Sequence, residues 1–204
     1  MNTQLERVEG DQRRFLFLLA SSRREGNSEI LARQAVTSLG PSIQQQWVRL
    51  SEAHLAPFED IRHEGDGVYA APERPIAELL DVTLWATELV FVAPLYWYGL
   101  PASAKLYLDH WSGWMRVEGV DFKPRMAGKT MWAITAFSDT DTRVAEPLFE
   151  TLRLTAQYMK MNWGGSLLGF ANRPGEIEQD IASMEGVKKL FSKPGDARAV
   201  THGI

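Results

Sequence analysis

Cysteine is absent from the 204-residue chain, and its absence excludes several kinds of site. Disulfides, thiolate nucleophiles, iron–sulfur clusters and cysteine-ligated zinc all depend on that residue. Histidine is scarce as well, and the four present are scattered without the spacing that metal ligands share: His54, His63, His110 and His202. The sequence therefore predicts no metal site.

The sequence also has little positive charge and no long apolar run near its N-terminus. The chain carries 22 Lys and Arg against 26 Asp and Glu, a formal net charge of -4, and it has no basic run. This balance argues against nucleic acid as a partner. The N-terminal stretch MNTQLERVEGDQRR lacks the apolar core of a signal peptide, and the first apolar run is too short to span a bilayer. We therefore expect no membrane insertion and a cytoplasmic location.

Several common catalytic and nucleotide-binding motifs are missing too. There is no G-x-S-x-G, which argues against a serine hydrolase. The dinucleotide pattern G-x-G-x-x-G needs three glycines in the first loop, where only Gly26 occurs. The tripeptide GKT at residues 128–130 resembles the end of a P-loop, but it enters a predicted strand where a P-loop enters a helix. We expect Lys129 to be a solvated residue at the start of that strand.

What the sequence does contain is a regular alternation of apolar and amphipathic segments. Short apolar runs predict strands over residues 14–20, 45–50, 88–94, 129–135 and 163–170. Helical spacing of apolar residues predicts helices over 27–39, 75–87, 101–111, 144–159 and 176–191. This alternation is typical of the α/β class, with a five-stranded parallel sheet and helices on both faces. We expect one domain over residues 14–192, between a flexible N-terminal leader (1–13) and a C-terminal tail (193–204).

Ligands of such sheets bind beyond the carboxyl ends of the strands, at the point where the strand order reverses. The loops after Ala20, Ala93 and Thr135 all lie at that edge. The first of them, residues 21–28, reads SSRREGNS and opens a helix, where unpaired backbone N–H groups and the helix dipole attract anions. Its composition alone is equally compatible with a solvated turn and helix cap. Its position at the first strand–helix junction favours a phosphate site.

Two segments resemble the signatures of a known family. ASSRREGNSEILAR, from Ala20, resembles the G-S-x-R-x-x-G-N-S pattern of the NADPH-dependent FMN reductases, the flavodoxin-like quinone and flavin reductases. APLYWYGLPASAKLYLDHW, from Ala93, is similar to that family's second pattern, P-x-Y-x-x-x-P-a-x-x-K-x-x-x-D. The two occur in the family's order and at about its separation. The resemblance implies a flavodoxin-like three-layer sandwich that binds FMN, takes hydride from NADPH or NADH, and reduces a quinone, free flavin or other small-molecule acceptor as a homodimer or homotetramer.

The resemblance also implies site residues, position by position. The FMN phosphate would be held by Ser21, Arg23, Asn27 and Ser28. The isoalloxazine ring and ribityl chain would pass along Pro94, Leu95, Tyr96, Trp97, Tyr98 and Gly99. The far side would be closed by Thr135, Ala136, Phe137 and Ser138. No catalytic side chain is implied, because the flavin carries the chemistry.

The sequence departs from the family pattern in two places and raises some local expectations. Ala20 stands where glycine is usual, and the third loop, TAFSDTD, lacks the glycine pair that many relatives carry.

Three consecutive aromatic residues, 96–98, cannot all enter one core, so at least one should face the crevice or a partner subunit. We expect Arg24 to face solvent, although it could meet the extra phosphate of NADPH, and Asp109 to be structural. We expect Trp111, Trp114 and Met115 to form a dimer surface.

Two other functions fit the same motifs. A flavodoxin-like electron carrier would bind FMN without reductase activity, and a flavin-free scaffold would serve only as a binding module. Carriers usually present a strongly acidic face and a threonine-rich phosphate loop. The modest net charge of -4 and the two arginines of the first loop favour the reductase.

Overall fold

The structure, a computed structural model, describes residues 13–191 and contains one five-stranded sheet. All strand pairs are parallel and the order is β2-β1-β3-β4-β5. The strands are β1 (Arg14–Leu19), β2 (Gln44–Arg49), β3 (Glu88–Val92), β4 (Thr130–Phe137) and β5 (Asn162–Phe170). The predicted α/β class and parallel sheet are confirmed, and the strand ends differ from the predicted ones by a few residues.

Within residues 13–191, six α-helices connect and cover the strands: α1 (Asn27–Val36), α2 (Ile76–Trp85), α3 (Ala102–Trp114), α4 (Phe122–Met126), α5 (Glu146–Tyr158) and α6 (Ile181–Leu190). The short α4 has no counterpart among the predicted helices. The predicted helix over 176–191 is divided, because a 3₁₀ turn over Glu176–Gln179 precedes Asp180. The Asp180 carboxylate then caps α6 by accepting a hydrogen bond from the Ser183 N–H.

The helices form two layers, one on each face of the sheet. Successive side chains of β1 point to opposite faces of the sheet and so enter two separate cores. Leu16 and Leu18 pack with α2 to α5, whereas Phe15 and Phe17 pack with α1 and α6. The strands are buried on both faces because helices cover both. The three-layer arrangement confirms the predicted sandwich.

Two tryptophans expected on a dimer surface belong to the core, so that prediction is wrong. Trp111 and Trp114 are each only 3% exposed. Both make edge-on ring contacts with Tyr107 and Phe122. Residues three, four and seven positions apart share one face of a helix, and this face of α3 points at the sheet. Met115 packs half-buried against the same core.

Lys129 is also placed differently from the expectation of a solvated residue. Its ammonium group donates hydrogen bonds to the carbonyl oxygens of Thr83 (3.3 Å) and Leu84 (2.7 Å), and to that of Ala86. These carbonyls belong to the end of α2, where the last turn leaves acceptors without intrahelical partners. Burial lowers the pKa of Lys129 to about 8. Lys129 therefore caps the C-terminus of α2.

The predicted leader and tail lie almost wholly outside the described residues. The exception is Arg13, which pairs with Glu88 at 2.7 Å and donates to the carbonyl of Phe191 at 2.7 Å. Within residues 13–191, no helix has the length and apolar character needed to cross a membrane.

A cleft at the carboxyl edge of the sheet

A cleft of about 400 Å³ opens where β1, β3 and β4 end. Three of its walls are the loops predicted from the sequence. Their lining residues are Ser21, Arg23, Gly26, Asn27, Ser28 and Glu29 from the first, Pro94, Leu95, Tyr96, Trp97 and Tyr98 from the second, and Ala136, Phe137, Ser138, Asp139 and Val144 from the third. Ala171 and Asn172, after β5, form a fourth wall that the sequence analysis missed. A second hollow, of about 570 Å³ beside Phe170 and Ile181, contains none of the predicted residues.

The start of α1 presents unpaired donors to this cleft. Gly26 is the N-cap residue. Among residues 13–191, no acceptor meets the backbone N–H groups of Gly26, Asn27, Ser28 and Glu29. The Arg23 guanidinium is exposed and likewise has no hydrogen-bonding or ionic partner within that range. A helix N-terminus with free donors and an adjacent cation is suited to an anion.

Three polar side chains of the first loop, unlike that of Arg23, already make structural hydrogen bonds. Asn27 donates to the carbonyl of Arg173 (3.0 Å) and accepts from the N–H of Gly175 (2.9 Å). Ser28 Oγ accepts from the N–H of Ala136 (3.0 Å), and Ser21 Oγ accepts from the N–H of Arg23 (3.1 Å). Because both serines accept through oxygen, their O–H groups stay available to donate. The Asn27 amide instead fastens α1 to the segment after β5.

The second loop is a tight turn that displays aromatic rings. Tyr96 and Gly99 exchange backbone hydrogen bonds at 3.3 and 3.0 Å, around the central residues Trp97 (φ 48) and Tyr98 (φ 64). Such a two-residue turn needs positive φ at both central positions, which Asn and Gly adopt most easily. Trp97 is 95% exposed, and the rings of Tyr96 and Tyr98 are exposed too. All three residues line the cleft, in agreement with the expectation that at least one faces the crevice or a partner subunit.

Two predicted residues do not line the cleft. Gly99 closes the aromatic turn through its backbone. Thr135, predicted in the third loop, is a fully buried residue of β4 and donates from Oγ1 to the carbonyl of Ala93 at 2.5 Å, so it joins β4 to the start of the second loop. Ala136, Phe137 and Ser138 do line the cleft, together with Asp139. Because β4 extends to Phe137, only Ser138 of the predicted third-loop residues follows the strand.

An ion cluster centred on the buried carboxylate of Glu29 lies behind the first loop, and it was not predicted from the sequence. Glu29 is 3% exposed in its side chain and pairs with Arg49 (2.7 Å) and Arg33 (2.6 Å). It also accepts from the N–H of Glu25 at 3.1 Å. Burial raises the pKa of Glu29, but the hydrogen bonds from Arg49, Arg33 and the Glu25 N–H together outweigh burial and hold that pKa below its ordinary value. The spacing of four residues between Glu29 and Arg33 could have indicated their ion pair from the sequence. Arg49 belongs to β2, and no local spacing indicates its contact with Glu29.

Other charged residues near the two motifs make surface pairs. Arg24, 74% exposed in its side chain, pairs with Glu52, as expected of a solvent-facing residue. Asp109 pairs with Lys105 one turn earlier on α3, which agrees with a structural role. Within residues 13–191, no three His, Asp or Glu side chains are grouped so that they could hold a metal ion.

Comparison with known proteins adds family evidence to this geometry. The sequence profile of a family described as having a flavodoxin-like fold matches residues 13–190. YwqN of Bacillus subtilis (strain 168), whose name describes an NAD(P)H-dependent FMN-containing oxidoreductase, is 28% identical over 177 residues, covering 84% of this chain and 93% of that protein. Trp repressor binding protein from Bacillus subtilis superposes with a TM-score of 0.67 at 23% identity, covering 88% of this chain and 99% of that one. An FMN-dependent NADH-azoreductase from Bacillus anthracis str. Ames Ancestor, solved in complex with FMN, gives a TM-score of 0.60 at 14% identity, covering 87% and 97%.

Proposed function

This chain belongs to the family with the flavodoxin-like fold, and from that premise we propose that it is an FMN-dependent oxidoreductase. Its reductant would be NADPH or NADH, and its acceptor a quinone, a free flavin or another small molecule. One observation carries the proposal: the same cleft has unpaired anion donors at the start of α1 and exposed aromatic rings on the second loop. The name of the relative YwqN supports the same activity.

The phosphate of FMN fits the donors at the start of α1. The backbone N–H groups of residues 26–29 have no acceptor among residues 13–191. The O–H groups of Ser21 and Ser28 and the guanidinium of Arg23 lie on the same wall. Hydrogen bonds to a charged group each contribute about 1.5–3 kcal/mol, so several together would bind a dianion firmly. Asn27 would act chiefly by holding the helix start in place.

The flavin ring fits between the second and third loops. The backbone N–H groups of Trp97 and Tyr98 find no acceptor among residues 13–191 and are suited to ring carbonyl oxygens that gain charge on reduction. The aromatic side chains of the turn supply flat apolar surface for stacking. FMN, when bound, would accept a hydride from NAD(P)H and pass the electrons to the acceptor. The protein's part is to orient the ring and to leave one of its faces open.

A visible spectrum followed by anaerobic addition of NADPH tests the proposal. Purified protein supplied with FMN should show oxidised flavin bands that bleach promptly when NADPH or NADH is added, and quinone or free flavin should restore them. Flavin bands that persist with both nucleotides would identify an electron carrier instead. A protein that stays colourless after incubation with FMN would favour a flavin-free scaffold.

The cytoplasmic location and the homodimer or homotetramer stay predictions. Because Trp111 and Trp114 are buried within the chain, they no longer indicate where subunits would meet. Light scattering after size-exclusion chromatography would measure the assembly, and cell fractionation would locate the protein.

A further inference from the structure

Arg49, the last residue of β2, does not line the cleft, yet it contacts the loop that does. One guanidinium nitrogen, Nη1, donates to the carbonyl oxygens of Ser21 (3.2 Å) and Arg23 (3.1 Å). The other, Nη2, donates to Glu29 at 2.7 Å. The Arg49 side chain is only 10% exposed, and its hydrogen bonds all go to this loop and the first turn of α1. Its Nε also lies 3.6 Å from a carboxylate oxygen of Glu52.

These contacts fix the direction of two peptide groups. A planar trans peptide points its carbonyl and its N–H in opposite directions. When Arg49 holds the carbonyls of Ser21 and Arg23 toward β2, those oxygens cannot turn into the cleft and repel an anion. The guanidinium is suited to this task because its rigid planar fork reaches several acceptors at once, which a lysine ammonium on a flexible stem does not match.

The same arginine also neutralises a carboxylate on the cleft wall. Glu29 lies in the same first turn of α1 as the free N–H groups, where an unpaired negative charge on its side chain would oppose a phosphate. Arg49 and Arg33 both pair with it. Glu29 in turn accepts the N–H of Glu25, a residue held at φ 54 in the left-handed region. Arg49, Glu29 and Glu25 thus form one connected support for the loop.

We propose that Arg49 is a positioning residue for the cofactor's phosphate: it sets the peptide orientations of residues 21–24 and cancels the Glu29 charge, without touching the ligand. The inference rests on the proposed function. Arg49 therefore governs how strongly the site prefers the phosphorylated flavin over riboflavin, which lacks the phosphate.

Flavin fluorescence quenching measures this preference directly. The FMN preference is the dissociation constant of riboflavin divided by that of FMN. It is measured in wild type, Arg49→Gln, Arg49→Lys and the matched control Arg33→Gln. Arg33→Gln removes an equal charge from the same carboxylate but touches neither loop carbonyl. We expect the FMN preference to fall about tenfold or more in Arg49→Gln, to fall partway in Arg49→Lys, and to change by about threefold at most in Arg33→Gln. General damage to the cleft would weaken the binding of both flavins alike and leave the ratio of their dissociation constants unchanged.

Each result decides one of the two proposals. An FMN preference in Arg49→Gln equal to that of wild type overturns the role of Arg49 alone, as does an equal loss in Arg33→Gln. Should circular dichroism show that Arg49→Gln does not fold, Arg49→Lys carries the test, and an unchanged preference there overturns the inference. A wild-type protein that binds neither flavin overturns the proposed function itself.

Discussion

The hydroxyl oxygen of Ser28 accepts the N–H of Ala136 at 3.0 Å, joining two residues that are 108 positions apart. The bond connects the first turn of α1 to the last residues of β4, so two walls of the cleft are joined by one hydrogen bond. Ser28 is 4% exposed, and the N–H that it accepts is buried.

Replacing Ser28 by alanine should destabilise the protein and weaken its binding of FMN. The Ala136 N–H would be left buried without a partner, which costs about 1–3 kcal/mol. Urea denaturation should show that loss in the free energy of unfolding. Ser22→Ala is the control, because Ser22 is an exposed serine of the same loop. Equal stability of the two variants would contradict the role of this bond.

Arg23→Ala should weaken FMN retention well beyond Arg24→Ala. The Arg23 guanidinium lies on the cleft wall and has no partner among residues 13–191, whereas Arg24 pairs with Glu52. Loss of one charge-assisted contact predicts an increase of about tenfold in the FMN dissociation constant. Equilibrium dialysis at fixed ionic strength measures it. Similar dissociation constants for the two variants would show that the loop's arginines do not have distinct roles.

Trp97→Gly should stabilise the fold while it weakens the use of a planar acceptor. Trp97 sits at φ 48 with its ring 95% exposed, so the substitution relieves backbone strain and loses little buried surface. After allowing for the greater freedom of glycine in the unfolded chain, we expect a gain of about 0.5–1 kcal/mol in the free energy of unfolding. Trp97→Ala is the matched control, since it removes the ring but keeps the strain. Both variants should raise the KM for a planar acceptor, and a stability gain in the alanine variant would contradict the strain account.

The Glu29 carboxylate should make the free energy of unfolding depend on pH in acidic solution. Its pKa in the folded protein lies below the unfolded value of 4.5, so between these values the unfolded chain binds more protons. Its stabilising contribution is therefore complete above that unfolded value and is lost as the pH falls through the folded pKa.

Urea denaturation from about pH 6 to about pH 3 should show a steeper decline for wild type than for Glu29→Gln. Glu150→Gln is the control. The pKa of Glu150 is also lowered, by its hydrogen bond from Arg153, but that pair is exposed and screened by solvent. Identical pH profiles for Glu29→Gln and wild type would contradict the cluster's contribution.

The location of the cleft was predictable because it depends on local patterns and one topological rule. Continuous apolar runs become buried parallel strands, and the loops at their carboxyl ends must meet. The donors after β1 and the aromatic turn after β3 could both be identified in this way. The FMN roles of the individual residues stay predictions, since only a bound cofactor tests them.

Long-range contacts could not be predicted from the same patterns. The sequence placed Trp111 and Trp114 on a surface, and Lys129 in solvent, because neither the direction of α3 nor the nearness of the α2 end is a local property. The hydrogen-bond partners of Arg49 lie 20 to 28 residues away and reach it across a strand pair. The register of β2 against β1, which sets Arg49 beside Leu19, brings them together.

Within residues 13–191, the sequence by itself determined the strands, every α-helix except the short α4, and the approximate positions of the three loops, because burial and helix geometry act over a few residues at a time. Tertiary structure alone decided which polar groups stay free. Packing committed Asn27 to the segment after β5 and Arg49 to the first loop, and it left the Arg23 guanidinium and the N–H groups of α1 without acceptors among residues 13–191. A hydrogen bond needs its partner within about 3 Å, and only the folded chain sets that distance.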